Sequence, residues 1–195
     1  MLKSSRELRL TNVDFLIRSG RALVFPVYKG TYERGAPIAG PNSWRDVTVA
    51  RVKDFGRVLE YVGSRADLDR ERVGYYGVSM GAYTGVMINA VTPGLKAAVF
   101  LGGGLIRGPL PLEVDPFNFA SRIRVPTLMV NGRNDFQTPY QTSQVPLFKL
   151  LSLPADQKRH ALFEGGHMPS QIHDVMREIL DWFDRFIGAV GTTTS

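Results

Sequence analysis

The stretch "YYGVSMGAYTG", residues 75–85, decides how this chain is read. An apolar run, "RVGYYGV" (72–78), ends at a serine between glycines, and an apolar segment, "MGAYTGVMINAV" (80–91), starts directly behind it. The first reads as a buried strand, the second as a helix stopped by Pro93-Gly94. Gly77-Val78-Ser79-Met80-Gly81 therefore matches G-x-S-x-G in a strand-to-helix context, where such a turn strains the serine and exposes its hydroxyl. Gly77 and Gly81 are both expected where a Cβ would collide with the neighbouring strand or helix. The helix start behind Ser79 stabilises developing negative charge. An ordinary Gly/Ser turn that packs helix on sheet is the plainer alternative.

Working outward, apolar strands alternate with amphipathic helices. Helices are expected over 4–19, with Ser4 and Glu7 in capping-box spacing and Gly20 as the stop, and over 43–63, with Ser43 as N-cap. The latter carries Phe55, Val58, Leu59 and Val62 on one face. "ALVFPVY" (22–28), "LKAAVFL" (95–101), "VPTLMVNG" (125–132) and "RHALFEG" (159–165) read as further buried strands. "YQTSQVPLFKLL" is expected to be helical only after Pro146. The closing segment, 171–187, has the clearest stripe: Ile172, Val175, Met176, Ile179, Phe183 and Phe186. Strands without polar alternation, separated by helices, predict an α/β domain with a mostly parallel sheet of about five strands. One domain is expected over 1–195, with 105–124 as a small cap and 188–195 as a frayed tail. Chemistry in such a sheet belongs beyond the carboxyl ends of the strands.

Composition narrows the function classes. The 195 residues include no cysteine, which removes thiol catalysis and thiolate metal sites and suits a reducing cytoplasm. No apolar run reaches membrane-spanning length, and the start, "MLKSSRELRL", does not look like a secretory leader. The net charge of +6 arises from interleaved basic and acidic residues, not from a basic stripe, which argues against a nucleic-acid partner. No H-E-x-x-H, P-loop or dinucleotide fingerprint occurs, so neither a metal nor another cofactor is expected.

A serine hydroxyl needs a general base, and the base needs a group that fixes its tautomer. Of three histidines, His173 lies on the charged side of the last helix and His160 at the early end of a strand. His167, in "EGGHMP", follows a strand on a glycine-rich loop and is the expected base. Asp135, in "VPTLMVNGRNDFQTP", follows a strand that ends at the same edge and is the expected acid. Asp115 and Glu164 are weaker rivals.

These motifs, in this order, resemble the α/β-hydrolase superfamily, in particular its prolyl-oligopeptidase and dienelactone-hydrolase-like serine hydrolases, over residues of roughly 14 to 187. "YKGTYERG" after the first expected strand also resembles the loop at that place in the oligopeptidase branch. The resemblance implies a Ser79–His167–Asp135 triad working through an acyl-enzyme. It also implies strands ahead of 22–28 that are not seen here, so an N-terminally shortened sheet is expected, with 22–28 pairing directly with 72–78 or a second copy of the chain covering the edge. The Met80 backbone N–H is one expected oxyanion donor; for the second, the phenol of Tyr28 or Tyr32, a backbone N–H of the 28–35 loop, and a truncated chain that lacks one are the open alternatives. Small acyl esters are the expected substrates, with Leu105, Ile106, Leu110, Leu112, Phe117 and Phe119 as candidates for an acyl pocket. A peptidase or amidase, or a non-catalytic interaction domain, are the rival readings.

Overall fold

The computed structural model describes residues 13–35, 39–106 and 108–190. The chain divides into two compact units, residues 1–68 with 190–195, and residues 69–189.

The first unit contains helix α1 (Asp14–Arg18) and the long helix α2 (Ser43–Ser64). A helix is expected over 4–19; α1 starts at Asp14, with Val13 as its flanking residue, and Ser4 and Glu7 lie outside the described residues. Gly20, at φ +85°, supplies the expected left-handed stop, and its N–H and that of Arg21 return to the carbonyls of Ile17 and Leu16. Ser43 is the first helical residue of α2 and Asn42 the flanking one, a shift of one position from the expected cap. Phe55 and Val62 are buried, as the stripe required.

Residues 22–28 overturn the strand expected there: they pair with nothing in the sheet, and Val24 and Phe25 are exposed. Pro26 lacks an N–H to give to a ladder, and a strand needs a partner as well as an apolar sequence. The stretch after it is tied down by α2 instead. Asp54 accepts the Lys29 N–H at 2.8 Å and the Arg34 guanidinium at 2.7 Å.

The second unit holds the sheet: β1 (Gly74–Val78), β2 (Ala97–Leu101), β3 (Thr127–Gly132) and β4 (Lys158–Phe163), parallel throughout and ordered β1-β2-β3-β4. Among the described residues the sheet thus has four strands where about five are expected; the one missing is 22–28. Helices α3 (Met80–Val91), α4 (Val145–Leu150) and α5 (Ile172–Ile187) complete the unit. Every residue of β2 and β3 is buried, which is why these strands read as unbroken apolar runs.

Neighbouring residues of β1 show how the helices lie. A Cβ at Gly74 would meet Phe183 and Ile187 of α5, whereas Tyr75 lies against Gly85 of α3. Successive strand residues point to opposite faces, so α3 and α5 cover opposite sides of the sheet. Val175, Ile179, Trp182 and Phe183 form the buried stripe of α5, while Ile172 at its start stays exposed. Arg72 closes the other end of α5, donating to the carbonyls of Ile187, Gly188 and Ala189 at 2.9–3.0 Å. A cation there also suits the helix dipole.

Residues 105–124, expected as a small cap, form three single turns at Leu112–Val114, Pro116–Asn118 and Ala120–Arg122. Val114, Ala120 and Ile123 are buried, and the Tyr83 hydroxyl of α3 donates to the Val114 carbonyl at 2.7 Å. Leu112 and Phe117 face outward. No helix among the described residues is long and apolar enough to cross a membrane.

Candidate active site

Ser79 stands between β1 and α3 at φ 53° and ψ −110°, one of two non-glycine residues at positive φ among those described. Its N–H donates to the Leu101 carbonyl at 2.8 Å, and its carbonyl accepts from Tyr83 at 3.0 Å. The serine is thus held by the neighbouring strand on one side and the first turn of α3 on the other. Such a conformation costs on the order of 1–3 kcal/mol and persists only where the surroundings enforce it.

The two motif glycines are not equivalent. A Cβ on Gly77 would lie 2.5 Å from the Gly81 carbonyl oxygen and 2.7 Å from the Tyr75 ring, so position 77 admits only hydrogen. At Gly81 a Cβ would meet nothing within 4 Å, which corrects the expectation that both positions are sterically closed. Tyr75 completes the turn from below, its hydroxyl donating to the Gly81 carbonyl at 2.7 Å.

His167 follows β4 on a loop closed by Gly165 (φ +122°) and its bridge to Pro169. Two further glycines, unremarked in the sequence, make room for this loop. Gly102, just after β2 at φ +66°, would place a Cβ 3.1 Å from the His167 carbonyl oxygen and 3.3 Å from its ring. At the end of β3, a Cβ on Gly132 would drive into the Gly166 carbonyl. The imidazole is brought to the serine only because both strand ends are bare.

Asp135 sits on the turn after β3 and is 3 % exposed. Burial alone would raise its pKa. Hydrogen bonds from the Thr138 hydroxyl (2.6 Å), His167 (2.8 Å) and the N–H groups of Thr138 (3.1 Å) and Gln137 (2.8 Å) outweigh that, holding the carboxyl below the usual carboxylate range. An ionised carboxylate only accepts, so the His167 Nδ1 carries the proton on that side. Nε2 is left as an acceptor, 2.7 Å from the Ser79 Oγ, whose hydroxyl donates to it. A hydroxyl, an imidazole and a carboxylate from three separate loops form one continuous line at the carboxyl edge of the sheet.

The rival histidines and acids named from sequence lie elsewhere. His160 meets Asn131 Oδ1 at 3.1 Å and stacks on Tyr140; burial lowers its pKa. His173 is exposed at the start of α5. Asp115 accepts the Phe117 N–H within its own turn, and Glu164 pairs with Arg133 at 3.0 Å. Met80 is the first residue of α3, where a backbone N–H has no intrahelical acceptor. Tyr28 belongs to the first unit; burial pushes its hydroxyl up to about 12, with Arg51 opposing the rise and Asp54 adding to it. Among the described residues no group of three or more His, Asp and Glu could hold a metal ion.

A four-stranded parallel sheet between helices, with a strained serine on the first strand-to-helix turn, is an α/β-hydrolase fold. Solved structures agree on the fold. A Klebsiella pneumoniae protein provisionally named a dienelactone hydrolase is 19 % identical, with 76 % of this chain and 68 % of that one covered and a TM-score of 0.60. A cold-adapted esterase from an Arctic intertidal metagenomic library is 20 % identical, with coverages of 75 % and 64 % and a TM-score of 0.59. A puromycin-hydrolyzing peptidase of Mycobacterium tuberculosis is 21 % identical, with coverages of 84 % and 29 % and a TM-score of 0.60. The chain therefore spans about two thirds of the length of the first two and under a third of the last. Comparison with curated protein sequences returns no match. More specifically, the chain belongs to the PET hydrolase-like family, whose model matches residues 40–191.

Proposed function

We propose that the protein is a serine hydrolase that cleaves small carboxylic esters through an acyl-enzyme on Ser79. One observation carries this: Ser79 Oγ, the two ring nitrogens of His167 and Asp135 Oδ2 stand in a single hydrogen-bonded line, at 2.7 and 2.8 Å. In the reaction, the Ser79 oxygen bonds to the ester carbonyl carbon while its proton passes to His167 Nε2. The tetrahedral oxyanion is met by the Met80 N–H at the head of α3. Collapse breaks the bond to the alcohol, which leaves with the proton from His167. Water then attacks the acyl-enzyme, giving its proton to His167, and the acid departs as Ser79 recovers its hydrogen. Asp135 keeps the ring in the tautomer this requires and stabilises its transient positive charge.

The surface beside the site supports an apolar substrate. The residue directly after each of the three is a large exposed apolar one: Met80 at 40 %, Phe136 at 80 % and Met168 at 41 % exposure. The family name also points to ester cleavage. Mixing the protein with p-nitrophenyl acetate tests the acyl-enzyme: a burst of nitrophenol equal to the enzyme concentration, absent in Ser79→Ala, is expected. Steady release with no burst, unchanged in Ser79→Ala, would remove Ser79 from the chemistry. An anilide analogue separates the amidase alternative, since amides demand stronger leaving-group protonation.

A further inference from the structure

The turn that presents Asp135 is held from outside by a residue not in the triad. Between Pro139 and α4 the chain makes one turn of π-helix, Tyr140–Gln144, a form found mostly as single insertions and frequently at functional sites. Its last two residues, Ser143 and Gln144, are both fully buried. Gln144 Nε2 donates to the Gly132 carbonyl at 3.1 Å and to the Thr138 carbonyl at 2.7 Å. Those carbonyls flank the acid turn on either side of Asp135. Thr138, gripped in this way, gives its hydroxyl to the same Asp135 oxygen, Oδ2, that receives the His167 Nδ1–H.

Gln144 is an unfavourable choice for the core on stability grounds. Its Oε1 is buried and finds no partner among the described residues. A buried acceptor left unmade costs free energy, and in a native structure it calls for an explanation. The amide nitrogen supplies one, because a single side chain with two donors spans both carbonyls, which no apolar residue could do. Beside it, the Ser143 hydroxyl donates to the Leu105 carbonyl at 2.6 Å and the Leu105 N–H returns to the Ser143 carbonyl at 3.3 Å. The same π-turn thus also anchors the start of the 105–124 segment.

We propose that Gln144 is a positioning residue that clamps the 132–138 turn and so fixes Asp135 against His167. The inference rests on the serine-hydrolase reading for its kinetic consequence but not for its geometry. Gln144→Leu keeps the volume and removes both donors. It is expected to lower kcat for p-nitrophenyl acetate by about 10²-fold, the order of loss from a misplacement of about 1 Å, with KM within about twofold. Gln144→Met serves if the leucine variant does not fold.

Proton NMR of the full chain reads the clamp without turnover. The His167–Asp135 hydrogen bond should give a far-downfield resonance in the wild type that weakens or moves upfield in the variant. Unchanged kcat and an unchanged resonance in a folded variant would overturn the proposal. Failure of both variants to fold would also overturn it, making Gln144 a core residue only. If the wild type is inert toward the ester yet the resonance responds to the variant, the hydrolase reading fails while the clamp stands.

Discussion

At the scale of single residues, the proposed chemistry depends on the direction in which one proton is held. Asp135 has four donors around a buried carboxylate, and His167 is one of them. Asp135→Asn can offer an N–H where the ring needs an acceptor, favouring the wrong tautomer. The expected loss is about 10⁴-fold in kcat with the fold intact, read by ester turnover beside circular dichroism. His167→Ala should fall at least as far. The folded-state pKa of Asp135 is depressed, so its contribution to stability is fully present above the ordinary carboxylate range of about 3.9 and is lost only as pH falls through the lower folded value. Activity that disappears between pH 7 and 5 without unfolding should therefore not follow protonation of Asp135. An acid-unfolding titration in which Asp135→Asn changes stability equally at pH 7 and pH 2 would contradict this.

At the scale of elements, the strand-to-helix turn makes a sharper prediction than its motif does. Gly77→Ala pushes a methyl into the Gly81 carbonyl and the Tyr75 ring. It should cost about 1–3 kcal/mol by overpacking. Gly81→Ala enters open space within α3 and should be neutral or stabilising by up to about 1 kcal/mol. Urea unfolding of the two variants distinguishes them, and equal destabilisation would refute the asymmetry. β2, β3 and α3 were legible because burial on every side leaves continuous apolar sequence, and α5 because one face repeats. Residues 22–28 carry the same apolar signal and misled, since pairing is a property of the partner and not of the strand. The π-turn was illegible for a different reason: it differs from α-helix only in hydrogen-bond register, which residue types do not announce. The strand ends that Ser79, His167 and Asp135 follow are legible in the sequence, and the structure joins the three side chains there. The parts of Gly102, Gly132 and Gln144 are not legible, because they lie in what passes close to them.

At the scale of the whole molecule, β1 and β4 are the outer strands of the sheet, and β1 carries the serine. A second copy pairing along β1 remains our proposal for a partner, since among the described residues β1 has a sheet neighbour on one side only. Light scattering across a hundredfold range of concentration should then show a species larger than the 21.7 kDa monomer; a strictly monomeric protein would refute it. The exposed apolar groups beside the site predict substrate preference. Phe136→Ser should raise KM for a longer acyl ester more than for the acetate and leave kcat within about twofold, since it removes binding shared by ground and transition states.

The proposed hydrolysis requires one alcohol to be activated by one imidazole. Its most direct test is reaction of the folded protein with a fluorophosphonate, followed by peptide mapping of the adduct. Stoichiometric phosphonylation confined to Ser79, and abolished by His167→Ala, is the predicted result. A folded protein that takes up no label, or takes it at another residue, would contradict it.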